Sequence, residues 1–202
     1  MNRHSAVRRV GGRGWPAAAA LAAVAALGGC GSGAAAAGAA ANGTAASAGA
    51  TRNTPGSIVA ALLQVGIRQA DQKNWSAADT TFSDVLDIVP RDVFALYNLG
   101  LVDQSVGDTG GAASYYNQAI ADDATYTPAL YNLAIALESS DQAKALTLYQ
   151  KIVAIDPKAS TAYLRMAFVY AEQGDVQQAK AAQAKAIALD PGLGQYPLPA
   201  KK

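Results

Sequence analysis

Side chains able to do covalent, acid–base or metal chemistry are scarce in this sequence. There is one histidine, His4, and one cysteine, Cys30. Nucleophilic catalysis of the Ser-His or Cys-His kind needs an imidazole beside the nucleophile, and a histidine-ligated metal site needs more than one ligand. Both residues fall in an N-terminal stretch unlike the rest of the chain, and removal of that stretch up to Cys30 takes the imidazole with it. No Gly-rich loop ends in Lys-Ser or Lys-Thr, so a phosphate cradle of that type is missing. The nearest approach to paired carboxylates is Asp84 with Asp87, and Asp122-Asp123. The last two are sequence neighbours, which do not share a helix face. A solvated surface role suits them better than acid–base work. No catalytic residue, cofactor or metal is expected, and with no second cysteine an internal disulfide is impossible.

The surroundings of Cys30 give the lone thiol a different use. Arg3, Arg8, Arg9 and Arg13 form a basic head, followed by Trp15 to Leu27, an uncharged apolar run of 13 residues. A basic head, a short apolar run and then small residues describe an export signal. The run is short for a permanent span, which needs about 20 residues. The ending, Leu27-Gly28-Gly29-Cys30, resembles the lipobox of bacterial lipoproteins. That resemblance implies cleavage before Cys30 and lipidation of its sulfur and new N-terminus. The other reading keeps the segment uncut, with Pro16 to Ala41 as a weak membrane helix. Both hold the chain at a membrane with its folded part outside the cytoplasm. Arg8-Arg9 followed by Val10-Gly11-Gly12 fits a twin-arginine export motif poorly. The two Asn-x-Ser/Thr triplets, at Asn42 and Asn74, are read as chance. Residues 31–56 are mostly Ala, Gly, Ser and Thr, too poor in large apolar groups to fold alone. As a flexible tether they span roughly 25–30 Å.

The elements that any site must rest on are set by a repeat. Gly66, Gly100, Ala134 and Ala167 follow at intervals of 34, 34 and 33 residues. Ala78, Ala112, Ala145 and Ala179 keep the same beat, as do Phe82, Tyr116, Tyr149 and Gln183, and Pro90, Ala124, Pro157 and Pro191. A fixed period of this length marks stacked helical hairpins. Small residues recur where two helices approach closely. The large residue follows four positions after the second small one, on the same helix face. Proline stops the second helix. Gly107-Asp108 and Gly174-Asp175 supply a helix end and an N-cap between the two helices, and Lys73-Asn74 fills that place in the first unit. The residue lost between Ala134 and Ala145 is the turn glycine, so Ser139-Ser140-Asp141 predicts a tighter turn. Ser57 is the expected cap of a first helix over residues 58–70, and Trp75 is expected to start and pack the second.

Leu96-x-x-Leu99-Gly100, Ala112-x-x-x-Tyr116 and the terminal Asp156-Pro157 and Asp190-Pro191 resemble the signature of the tetratricopeptide repeat family. The departures are Ala124 for proline, Gln183 for the aromatic and the lost turn residue. The resemblance implies an all-α, right-handed α-solenoid of about four hairpins after a disordered N-terminal segment. Units fall at about 59–92, 93–126, 127–159 and 160–192, within a repeat domain of residues 57–192. A signal peptide (1–29), the lipidated tether (30–56) and a C-terminal tail (193–202) flank it. The polar last helix reads as a terminal cap. The tail either folds back or stays loose.

In that family the first helix of each unit lines a groove for peptides or partner helices. Matching positions gives Phe94, Tyr97, Asn98 and Leu101 from the second unit, Tyr131, Asn132 and Ile135 from the third, and Leu164, Arg165 and Phe168 from the fourth. Packing between units is the other reading for Tyr97 and Tyr131. Asn98, Asn132 and Arg165 share a column whose amides can bond an extended backbone, with Arg165 suited to a carboxylate. The carboxylate clamp of the family's chaperone-binding members is incomplete here, because Tyr97, Leu101 and Thr161 occupy three of its positions. From Ser57 to Pro191 there are nine Lys and Arg against fifteen Asp and Glu, a net charge of −6. That charge argues against nucleic acid and favours basic or apolar partners. The expected function is a non-enzymatic adaptor that binds a protein or peptide, with no small-molecule substrate. The alternative is a structural subunit or assembly factor of a larger cell-envelope complex.

Overall fold

The computed structural model describes residues 54–199. Cys30, the basic head, the apolar run and the tether up to residue 53 lie outside the described residues, while residues 54–56 belong to α1 and its cap. Eight helices follow one another: α1 (Pro55–Asp71), α2 (Trp75–Ile88), α3 (Val93–Val106), α4 (Thr109–Asp122), α5 (Thr127–Leu137), α6 (Gln142–Ile155), α7 (Ser160–Glu172) and α8 (Val176–Leu189). A 3-10 turn, Pro191–Gln195, closes the series. Each helix packs on the one before and the one after, and α1 also reaches α3. The result is four stacked hairpins in an all-α fold. Among the described residues no helix is long and apolar enough to cross a membrane.

Capping sets where the helices begin. Asn74, Asp92, Asp108, Asp141 and Asp175 each accept a hydrogen bond from the backbone amide three residues on, which satisfies a donor the helix leaves free. Thr54, not Ser57, caps α1. Pro55 takes the first helical position, where a missing N–H costs nothing, so the helix starts three residues ahead of the expected Ile58. Ser57 donates from its amide to Thr54 Oγ1 (3.3 Å) and from its hydroxyl to Thr54 O (2.8 Å).

The turns inside the hairpins follow their residues. Gly107 and Gly174 adopt φ of +89° and +80°, and Lys73 holds φ +59° in their place in the first unit. The third unit has no left-handed residue. α5 stops at Leu137, giving it 11 residues against 14 in α3. Asp141 N then bonds directly to Leu137 O at 2.7 Å. The lost residue has therefore tightened the turn by shortening the helix before it.

The core repeats as the columns require. Ala78, Ala112, Ala145 and Ala179 are all but fully buried, and Phe82, Tyr116 and Tyr149 are fully buried. Trp75 opens α2 and packs with Ala78, Phe82, Leu99 and Val102. The closest fit is between ring and glycine. A Cβ placed on Gly100 would lie 2.4 Å from Tyr116 Cε1, and one on Gly66 would lie 2.6 Å from Phe82 Cε1. Gly100→Ala gains about 1 kcal/mol of helix propensity but forces the ring aside, which costs about 1–3 kcal/mol in a packed core. A net destabilisation is expected, read as a lower urea midpoint. Gly56→Ala, with nothing within 4 Å of the new Cβ, should leave the midpoint unchanged or raise it. Equal midpoints for the two variants would contradict this account.

Candidate partner-binding face

The first helices α3, α5 and α7 carry the residues matched to the groove, and the structure divides them. Phe94 is 56% exposed, with its ring edge-on to Tyr126 at 5.7 Å. Asn98, Leu101, Tyr131, Ile135 and Arg165 are half-buried. Tyr97, Asn132, Leu164 and Phe168 are buried, each at 9% exposure or less. These four are corrected from groove to packing. Tyr97 and Asn132 are covered where units 2 and 3 meet. Leu164 and Phe168 are covered by Leu193 and Leu198 of the C-terminal segment. Beyond α8 that segment is folded back through the last described residue, Pro199, rather than loose.

The Asn98, Asn132 and Arg165 column is also occupied internally. Asn98 Nδ2 donates to Phe94 O on its own helix at 2.7 Å. Asn132 Nδ2 donates to the Tyr97 hydroxyl at 3.3 Å. Arg165 grips Glu138 in a fork, Nε to Oε1 at 2.8 Å and Nη2 to Oε2. The carboxylate foreseen for Arg165 is therefore supplied by the preceding unit. A bidentate guanidinium–carboxylate pair is among the stronger polar contacts.

Two matching four-residue sets result. Between units 2 and 3 stand Tyr97, Gln104, Tyr116 and Asn132. The Tyr116 hydroxyl donates to Gln104 Oε1 at 2.7 Å, and the Tyr97 and Tyr116 rings lie 6.0 Å apart. Between units 3 and 4 the same positions hold Tyr131, Glu138, Tyr149 and Arg165. The Tyr149 hydroxyl donates to Glu138 Oε1 at 2.7 Å, and the two rings lie 5.8 Å apart. One interface is neutral and the next is an ion pair. Burial pushes the Tyr116 and Tyr149 hydroxyls well above the usual phenol range, so both stay protonated as donors. Burial also raises the Glu138 carboxyl, with Arg165 and Tyr149 pulling it back down.

Gln104 and Glu138 were not among the expected site residues, although the sequence held a signal for them. Gln104 and Glu138 accompany hydroxyl-bearing rings, Tyr116 and Tyr149. Where the ring is Phe82 the matching position is Ala70, and where it is replaced by Gln183 the position is Ala171. Tyr126 was missed because it lies at the start of α5, outside the repeat's anchor columns. Its hydroxyl is pushed up to about 12, first by burial, then by Tyr97, Asp123 and Asp92. The aspartate pairs differ in exposure, the Asp122 side chain being only 11% exposed. Asp122 pairs with Arg91, Asp123 accepts from Thr125 N and Oγ1 at 2.8 and 2.7 Å, and Asp84 and Asp87 are exposed.

The two sets make a testable contrast. Arg165→Asn leaves Glu138 partly buried without its cation, and breaking such a pair costs about 3 kcal/mol. Glu138→Gln with Arg165→Asn installs the neutral set of the preceding interface, and the loss should fall to about 1 kcal/mol or less. Urea denaturation of both single variants and the double completes the cycle, and additive losses would refute the coupling. The pH dependence has a definite sign. The folded state holds the Glu138 proton more tightly than the unfolded state does. Stability from this group is therefore present below the ordinary Glu range and is lost as pH rises through the raised folded value. The double variant should lack that decline.

Comparison with known proteins follows the same geometry. Residues 136–196, from the end of α5 through the 3-10 turn, match the family model described as tetratricopeptide repeat. No curated protein sequence matches the chain. Among solved structures, MamA is 24% identical with a TM-score of 0.62, over 68% of this chain and 81% of that one. YrrB, described as a tetratricopeptide protein with an unusual peptide-binding site, is 20% identical with a TM-score of 0.60, over 70% and 74%. The pilF protein of Pseudomonas aeruginosa is 21% identical with a TM-score of 0.62, over 69% and 65%. The family model runs from the end of α5 through unit 4, and units 1 and 2 carry the same columns in the same hairpins: the described residues have the fold of tetratricopeptide repeats.

Proposed function

We propose that this protein is a non-enzymatic adaptor, held outside the cytoplasm at a membrane by a lipid on Cys30, that grips a partner protein or peptide on the first-helix face of units 2 and 3. The observation that carries the binding half is Phe94. Among the aromatic residues of the described helices it alone is more than a third exposed, and it stands beside half-buried Asn98 and Leu101. An exposed ring beside apolar and amide groups suits a docking anchor rather than a solvated surface. Asp92 and Asp123 lie close enough to Tyr126 to influence it, and the repeat domain is net acidic. A partner with an apolar anchor flanked by basic residues fits that surface. YrrB shows by its description that a tetratricopeptide protein of similar fold has a peptide-binding site.

The anchoring half rests on the basic head, the 13-residue apolar run and the single cysteine that ends it. Intact mass and detergent phase partitioning of the protein from its native membrane should give a chain that begins at Cys30 and carries lipid. Cys30→Ser should lose the lipid and leave the detergent phase. A full-length mass with Met1 and no lipid would sink this half and leave an uncleaved helix as the anchor. For the binding half, a photo-crosslinking residue at position 94 should give a discrete adduct in native membranes. The same residue at position 106, where Val106 is 58% exposed at the other end of α3, should not. Indistinguishable patterns from the two positions would reject the face.

A further inference from the structure

We propose that residues 191–199 act as a resident ligand: the chain's own C-terminal segment fills a peptide-binding surface on α7 and α8, and a partner segment of the same chemistry takes its place when it leaves. This surface is the one that an inner unit packs against the next, separate from the face around Phe94, and the proposal goes beyond the adaptor reading.

Leu164 and Phe168 stand at the positions that Tyr97 and Leu101 hold in unit 2, and Tyr131 and Ile135 in unit 3. At the earlier interfaces the next unit's first helix covers Tyr97 and Tyr131. After α8 the described chain has no such helix. Leu193 and Leu198 cover Leu164, Phe168 and Ala186 instead. The covering segment is one 3-10 turn, begun by Asp190 Oδ1 accepting from Gly192 N at 2.9 Å. It then runs as extended backbone from Tyr196, at φ −100° and ψ +94°.

Two features fit a ligand better than a fixed end-piece. Gln183 replaces the aromatic of the other units, and its Nε2 donates to the Tyr196 backbone carbonyl at 3.0 Å. An amide bonded to a main-chain carbonyl holds an extended peptide whatever its side chain at that position. The fit is also incomplete. A cavity of about 230 Å³ remains beside Leu198 and Pro199, lined by Ala171, Val176, Ala179 and Lys180. It leaves room for an apolar side chain that residues 191–199 do not provide. The occupant this surface fits is therefore an extended segment with two leucine-type side chains five positions apart and a further apolar group near the second.

The test uses the full chain and a fluorescent peptide of residues 190–199. Leu193→Asp with Leu198→Asp frees the surface. Apparent affinity falls by the fraction of molecules whose site is open, so a tail seated nine-tenths of the time weakens peptide binding by about tenfold. The double variant should bind the peptide at least tenfold more tightly than the wild type, and adding Gln183→Ala should weaken it several-fold. A helical double variant that binds no better than the wild type would overturn the proposal. If that variant unfolds, hydrogen exchange on the wild type decides. Tail amides released locally, ahead of α7 and α8, support exchange of the ligand, and tail amides released only with global unfolding refute it. Phe94→Ala should leave peptide binding intact, so failure of the unit 2 and 3 face and failure of this surface are read separately.

Discussion

A ring set into a notch is the constraint from which the rest of this structure follows. The second helix of each of the first two hairpins aims Phe82 or Tyr116 at a glycine of the first helix, with no space for a Cβ between them. That contact sets how closely the two helices approach. It also sets where the far end of the ring arrives. A phenylalanine needs nothing there, and unit 1 supplies Ala70. A tyrosine brings a hydroxyl into the interior, and a buried hydroxyl without a partner is costly. Gln104 and Glu138 meet that need at the end of the first helix. The charge on Glu138 then requires an answer in turn, which Arg165 gives from the next unit. One hydrocarbon contact thus leads through a hydroxyl to the polar chemistry of the following interface.

Much of this was legible because it is periodic. The hairpins, their order, most caps and the shortened third turn follow from residue types recurring at fixed intervals. What was illegible lies off the period or depends on burial. The true start of α1 turned on Pro55, which belongs to no column. The fate of Tyr97, Asn132, Leu164 and Phe168 turned on what covers them, and matching positions to a family says which way a residue faces but not what lies above it. Arg165 read as a free cation because its partner sits 27 residues back, across a unit boundary. Phe94, which stays exposed, and Tyr97, which does not, are three residues apart on one helix. Tyr126 meets both rings, and the difference is the further cover that Asn132 and Tyr116 give to Tyr97.

The two ends of the stack are finished by different means. At the start, α1 places Ala61 and Arg68 where α3 has Ala95 and Val102. The α1 pair is exposed and the α3 pair is buried. A charged residue at an otherwise apolar position suits a helix that faces water. At the other end the polar substitution falls in α8, at Gln183, while Leu164 and Phe168 of α7 remain as apolar as any inner residue. Their cover comes from a separate segment, so one end meets water with a charge set among its apolar positions and the other hides its apolar surface.

The alternation of neutral and charged sets bears on how a chain of look-alike hairpins finds its order. Misassembly is a characteristic failure of repeat proteins, and the simplest error here is to skip a unit, docking α7 directly on α4. Shape alone would tolerate that error, since the alanine columns match. Chemistry would not, because Arg165 would then meet Gln104 and Tyr116 rather than Glu138, leaving a guanidinium in the interior with no counter-charge. The ion pair thus gives the junction between the third and fourth hairpins a charge match that the junction between the second and third does not share.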